Sequence, residues 1–467
     1  MTDGSVTTAR TEQVPGPSPS PSVPYRNIRS IFAYLALLAG LLPAAANTEL
    51  LGAPLVLIAV LAGWGDLRRV SRVLLLLVAG SGLAAWHWAP DLLLRAAVNT
   101  THLTALVVAV MLLSATLGTS RDLGVLSSSL FGGRPLPRYL GISFATGFLA
   151  VPLNFGSVGV MSTVVARVKH LRGDSSLTRN AARAVLRGFA LASICSPLSV
   201  SVVITLTFLP TLGLHQLIAV SLPFAGLYLL LGSVFREPEE VPAMDAPALP
   251  GAEADVSTVL PWLRFTAYII SICLGAWALS SFGQMRYSLA VALSCLGAVV
   301  FGWLLKRLRG EPDGLPSMAQ VGNELVVMCG SAFLGVLASG AGLYLLGLDV
   351  GLPVWASPWV AFVVPFVLFL AGMSGLNPIV TGTLVGAMLA PVWPPSAFLG
   401  LGIGMVSGWG LTVAGTPYSA NSMLLSRITG YDAQTAALQW NLRLSIWALC
   451  LAGLLAAGLT HWLVTAP

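Results

Sequence analysis

Long apolar stretches recur along this chain from Ile31 to Trp462, and most of the charge sits in the short segments between them. About 20 consecutive apolar residues make a helix that crosses a bilayer's hydrocarbon. Only 9% of the residues are charged and 56% are hydrophobic, whereas soluble domains carry roughly a quarter charged. A soluble globular fold is therefore excluded. A chain of 467 residues has room for about ten or more spans, and the expected class is an all-α polytopic membrane protein.

Basic residues between spans mark the cytoplasmic side, and the net charge of +6 reads as that bias. No Lys/Arg block interleaves with aromatics, so no nucleic acid is expected as partner. Residues 1–24 are rich in Pro, Ser and Thr and read as a disordered cytoplasmic tail. They lack the basic start and apolar core of a signal peptide. Arg26 and Arg29 put the N-terminus in the cytoplasm. Spans are expected at about 31–46, 49–64, 73–88 and 103–119, then from Gly188, and at 216–234, 262–282, 287–305, 324–346, 397–427 and 437–462. The C-terminus then lies outside. The divisions are N-terminal scaffold spans (25–100), a first repeat (101–235), an acidic cytoplasmic linker (236–260), connecting spans (261–321) and a second repeat (322–467).

Two apolar segments do not fit this alternation. Residues 139–165 are broken by Pro152, Asn154, Gly156 and Gly159, and both flanks are basic, the second through Arg167, Lys169, Arg172, Arg179, Arg183 and Arg187. Residues 358–390 are broken at Gly375-Leu376-Asn377-Pro378, and neither flank is basic. Each is expected to enter the membrane and turn back, from opposite sides. Irregular backbone at that depth must be buried in protein or line a wet cavity. The count becomes eleven spans and two re-entrant hairpins.

The halves also match in sequence. GFALASICSPLSVS (188–201) aligns without a gap on GWGLTVAGTPYSAN (408–421), at an offset of 220 residues. Pro197 and Pro417 are the expected helix breaks, since proline removes a helical N–H and clashes with the preceding turn. The hairpin tips share Leu-Asn-x4-Gly: Leu153, Asn154 and Gly159 against Leu376, Asn377 and Gly382. Repeats of opposite orientation with discontinuous helices are the plan of many secondary transporters.

With one hairpin and one broken helix per half, the chain resembles the ion transporter superfamily: divalent-anion/sodium symporters, citrate carriers and arsenite pumps. The likeness covers about 100–235 and 322–465. Dicarboxylate symporters carry Ser-Asn-Thr at the tips. Asn154 and Asn377 match its Asn, while Leu153 and Leu376 replace the Ser, and Phe155 and Pro378 the Thr. The resemblance implies a mobile unit of hairpins and broken helices on a scaffold that forms a homodimer, in a bacterial plasma (inner) membrane.

Polar groups cluster at the breaks. Half one offers Asn154, Ser157, Ser196, Ser199 and Ser201, and half two offers Asn377, Thr381, Thr416, Ser419 and Asn421. Half-helix N-termini suit an anion, and unwound carbonyls suit a small cation. Asn154 and Asn377 are the candidate Na⁺ ligands; no other cofactor is expected. All Asp and Glu are assigned to tails, loops or span ends, which leaves no proton relay at the midplane. The function expected is secondary active transport of a small organic anion, with Na⁺ or H⁺ as coupling ion. The alternatives are an exporter of a metalloid oxyanion or drug, and a membrane-embedded enzyme. No HExxH, GxSxG or intramembrane acid pair supports the enzyme. The five cysteines form no CxxC and read as core residues.

Overall fold

The computed structural model describes residues 25–42, 50–117, 130, 134–239, 259–308, 310, 314, 316–319, 321–346 and 351–465. The N-terminal tail 1–24 and most of the linker, 240–258, lie outside the described residues. In lipid every backbone N–H and C=O must be satisfied within the chain, and the described residues form helices and no strand. Nine helical segments among them are long and apolar enough to cross a membrane. Large apolar side chains cover the outside, among them Leu76, Leu83, Trp86, Leu370, Leu454 and Trp462. Exposed apolar surface on that scale marks an interaction surface, and here it completes the description of an integral membrane protein.

The first four helices are α1 (Arg26–Leu41), α2 (Gly52–Leu61), α3 (Arg69–Trp88) and α4 (Pro90–Leu117). The first hairpin is α5 (Pro135–Leu153) and α6 (Phe155–Arg172), and the first broken helix is α7 (Ser176–Cys195) and α8 (Val200–Phe208). Then come α9 (Leu214–Val234), α10 (Val259–Ser281) and α11 (Tyr287–Leu308). A short α12 (Gly322–Leu325) passes through a π turn (Val326–Gly330) into α13 (Ser331–Leu346). The second hairpin is α14 (Ser357–Met373) and α15 (Pro378–Leu389), and the second broken helix is α16 (Phe398–Gly415) and α17 (Ala420–Thr429). The last helix is α18 (Leu442–Thr465).

Three expectations change. The span at 49–64 is the ten-residue α2, about 15 Å long and too short to cross. It folds back beside α1, and Arg29 pairs with Asp66 at 2.5 Å, so the chain still returns to its starting side. The basic flank 166–187, expected to lie between membrane segments, is helical except at 173–175. It is the end of α6 and the first half of α7, because its arginines find partners. Arg183 and Arg179 pair with Glu237 at 2.5 and 2.9 Å, and Arg138 pairs with Glu239. The start of the expected linker is thus clamped to α5 and α7. Arg187, fully buried, donates all five N–H groups: to Asn441 Oδ1 (2.8 Å), Tyr139 Oη (3.0 Å) and the carbonyls of Gly232, Phe235 and Trp440.

The same contacts show both hairpins returning to where they began. Arg138, at the start of α5, bonds Glu239, which accepts from Asn180, and Asp174 follows the end of α6 and pairs with Arg179. At the second hairpin Leu352 N donates to Val392 O at 2.8 Å. The hairpins pack crosswise, α6 on α17 and α15 on α8, and the two broken helices cross between them. At the crossing Gly410 of α16 lies against Ile194 and the carbonyl of Ala190, which a Cβ at Gly410 would meet at 3.0 Å. Ala190 and Gly410 are paired by the 220-residue offset.

Candidate functional site

Proline and the hydroxyl residues around it shape each break. At the first, α7 ends at Cys195, and Ser199 caps α8 by accepting from Val202 N. At the second, α16 ends at Gly415, and Ser419 caps α17 by accepting from Ser422 N at 3.1 Å. A side chain of each outer half reaches back eight residues to hold the inner half. Ser201 donates to Ser193 O, and Asn421 Nδ2 lies 3.5 Å from Val413 O. The Tyr287 hydroxyl of α11 donates to Pro197 O at 2.7 Å.

The two tips differ. Asn154 alone separates α5 from α6, at φ 48° and ψ −127°, where a residue other than glycine is strained. Ser114 donates to Leu153 O at 2.9 Å and Ser157 to Asn154 O at 2.8 Å, which satisfies the carbonyls of the turn. The Asn154 backbone N–H donates to Ala150 O at 2.9 Å, while its side-chain amide has no hydrogen bond among the described residues. At the second tip Asn377 is the N-cap of α15, its Oδ1 accepting from Ile379 N at 2.9 Å.

Tips and breaks meet around one cavity of about 60 Å³. Of the ten polar residues singled out from sequence, Asn154, Ser199, Ser201, Asn377 and Ser419 line it. The other five lie behind the wall. Ser157 and Thr416 spend their hydroxyls on the carbonyls of Asn154 and Thr412, and Thr381 approaches Asn377 O at 3.5 Å. Ser196 Oγ and Asn421 Oδ1 are buried without a hydrogen-bond partner among the described residues. The N-termini of four helices border the cavity, through Phe155 of α6, Val200 of α8, Pro378 of α15 and Ala420 of α17. Each helix start brings a partial positive charge of about half a unit, which favours negative charge nearby.

One lining residue overturns the sequence reading of the acids. Glu324, on α12, lies on the cavity wall with Met328 of the π turn. Its position at the start of an apolar segment made it look like a span-end residue. The α4–α13 pairing explains where it goes. Gly340 packs on Leu92, and Thr104 Oγ1 meets Cys329 Sγ at 3.2 Å. That antiparallel register sets Glu324 near Val110 and Met111, which line the cavity too. Compared with protein-family models and with curated proteins, the chain matches none.

Proposed function

We propose that this protein is a secondary active transporter that moves a small organic anion by alternating access, with Na⁺ or H⁺ as coupling ion. The observation that carries this reading is the convergence of four helix N-termini, from two hairpins and two broken helices, on one cavity. Such an arrangement binds an anion without a buried positive side chain. An inverted repeat supports the alternating-access part: paired positions Ala190 and Gly410 meet at the crossing, and Ser201 and Asn421 make equivalent eight-residue reaches. In this reading 101–235 and 322–467 are the two repeats, with the N-terminus cytoplasmic and the C-terminus outside. The hairpins and broken helices move as a unit against a scaffold that forms a homodimer. A site of about 60 Å³ has room for little more than an ion or a few waters, so in this reading it widens to take a carboxylate.

The test is uptake into proteoliposomes of labelled succinate, citrate and arsenite, each with a Na⁺ gradient, a pH gradient or neither. Accumulation above equilibrium under one gradient is the expected result. Equilibration at the same rate without any gradient makes the protein a pore. No flux of any of the three sinks the carboxylate and metalloid readings together.

A further inference from the structure

We infer that Glu324 carries the coupling proton, and that its carboxylate and the transported anion compete for the same helix ends. This rests on the transporter reading above. Glu324 is the one ionisable side chain lining the cavity among the described residues. Its Oε2 is buried there without a hydrogen-bond partner. An ionised carboxylate so placed is costly unless something positive faces it, and the positive field at the cavity is that of the four helix N-termini, with the Arg68 guanidinium acting on Glu324 from the rim. Ionised, Glu324 occupies that field as an internal anion. Protonated, it leaves the field to a substrate anion. Proton and anion then bind with positive coupling, and by linkage each raises the affinity of the other by the same factor.

The surroundings give the proton a route. Asn323, the residue before Glu324, accepts from Arg68 N and from Ser71 Oγ, both at 2.9 Å. Arg29 lies against Gly322 and pairs with Asp66. The ionisable groups at this end of α12 are therefore Arg29 of α1, Asp66, and Arg68, Arg69 and Arg72 at the start of α3. This rim carries exposed charged residues, Asp66, Arg68 and Arg69, and exposed charges of this kind stay hydrated. Helix α2 brings no ionisable group. Those of α4, namely Asp91, Arg95 and His102, sit about two turns or more from Val110. Glu324 thus stands between a wet basic rim and the tips. The π turn that begins two residues later is a form of helix found often at functional sites.

The proton can be tested without knowing the substrate. Infrared spectra of the purified full chain in lipid, parent minus Glu324→Gln, should show a protonated-carboxyl stretch at neutral pH. The band should shift in Glu324→Asp, be lost at alkaline pH, and persist when KCl is replaced by NaCl. Size-exclusion chromatography and thermal unfolding check that both variants are folded, and the Asp variant alone suffices should Gln fail. Absence of the band at every pH above the ordinary glutamate range of about 4.3 overturns the inference. Loss of the band on adding Na⁺ at fixed pH also overturns it, by making Glu324 a sodium ligand. The competition is read in proteoliposomes with succinate as probe: acidification should raise uptake by the parent, and Glu324→Gln should lose that dependence. Equal pH dependence in both overturns it. No flux of any anion in the parent would instead remove the transporter reading and leave the infrared result standing.

Discussion

At the first tip the turn is made by Asn154 itself, at φ 48°, while at the second Gly375 turns the chain at φ 90° and Asn377 keeps an ordinary extended backbone. The same Leu-Asn pair therefore does different work. Asn377 spends its side-chain oxygen on Ile379 N and stabilises α15. Asn154 spends no side-chain atom on the protein among the described residues and accepts backbone strain. Strain held at a site of this kind persists only where the surroundings enforce it. The contrast extends to what holds each half. The first is pinned at one end by guanidinium groups. The second is threaded by α16, nearly every residue of which is buried and whose glycines let neighbours approach closely.

The largest effect should separate the two kinds of fastening. Arg187→Lys leaves several buried acceptors unpaired and should cost about 3–5 kcal/mol. Ser407, its partner at the 220-residue offset, bonds within its own helix to Ile403 O. Ser407→Ala should cost only about 1 kcal/mol. Thermal unfolding in one detergent compares the two, and similar losses would erase the distinction. Next, Gly410→Val drives a branched side chain into Ile194 and Ala190 and should cost about 1–3 kcal/mol. An unchanged unfolding temperature would mean that the crossing is looser than described.

The tips should then respond with opposite signs. Asn377→Ala removes a cap and should destabilise by about 1 kcal/mol. Asn154→Gly relieves the positive φ and should stabilise by up to about 1 kcal/mol, while succinate uptake falls. Stability changes of the same sign would show that the tips are equivalent after all. The smallest effect concerns pH. Partial burial opposes the charge on Glu237, but the Arg179 and Arg183 guanidiniums outweigh it and hold its carboxyl below the usual carboxylate range. Its contribution is therefore fully present above that range and is lost as pH falls from that range through the lower value of the folded state. Glu237→Gln should flatten the acid limb of the unfolding-temperature curve. An unaltered limb would assign acid sensitivity elsewhere.

The broken and doubled-back elements were legible because proline, asparagine and glycine interrupt apolar runs at matching places, and backbone chemistry leaves such runs few options. Five of the ten site residues reach the cavity, four of them for the same reason: they sit at the N-caps of the helices that begin there. The rest point into the wall, which depends on rotation about a helix axis that a broken segment does not encode. Glu324 escaped because its depth is set by the Thr104–Cys329 and Leu92–Gly340 contacts with a distant helix, not by its neighbours in the chain. The arginines of α7 misled because a carboxylate brought by residues 237–239 turns loop-like charge into a buried network.

The Tyr287 hydroxyl that meets Pro197 O has a mechanical consequence. It joins α11 to the first break, so displacement of the break against α11 has to open this bond. A hydrogen bond of this sort is worth about 0.5–1.5 kcal/mol net, at most about tenfold in population. A phenol that weak acts as a detent rather than a lock. In the proposed transport cycle it would bias the resting position, and thermal motion would release it many times over during one slow displacement.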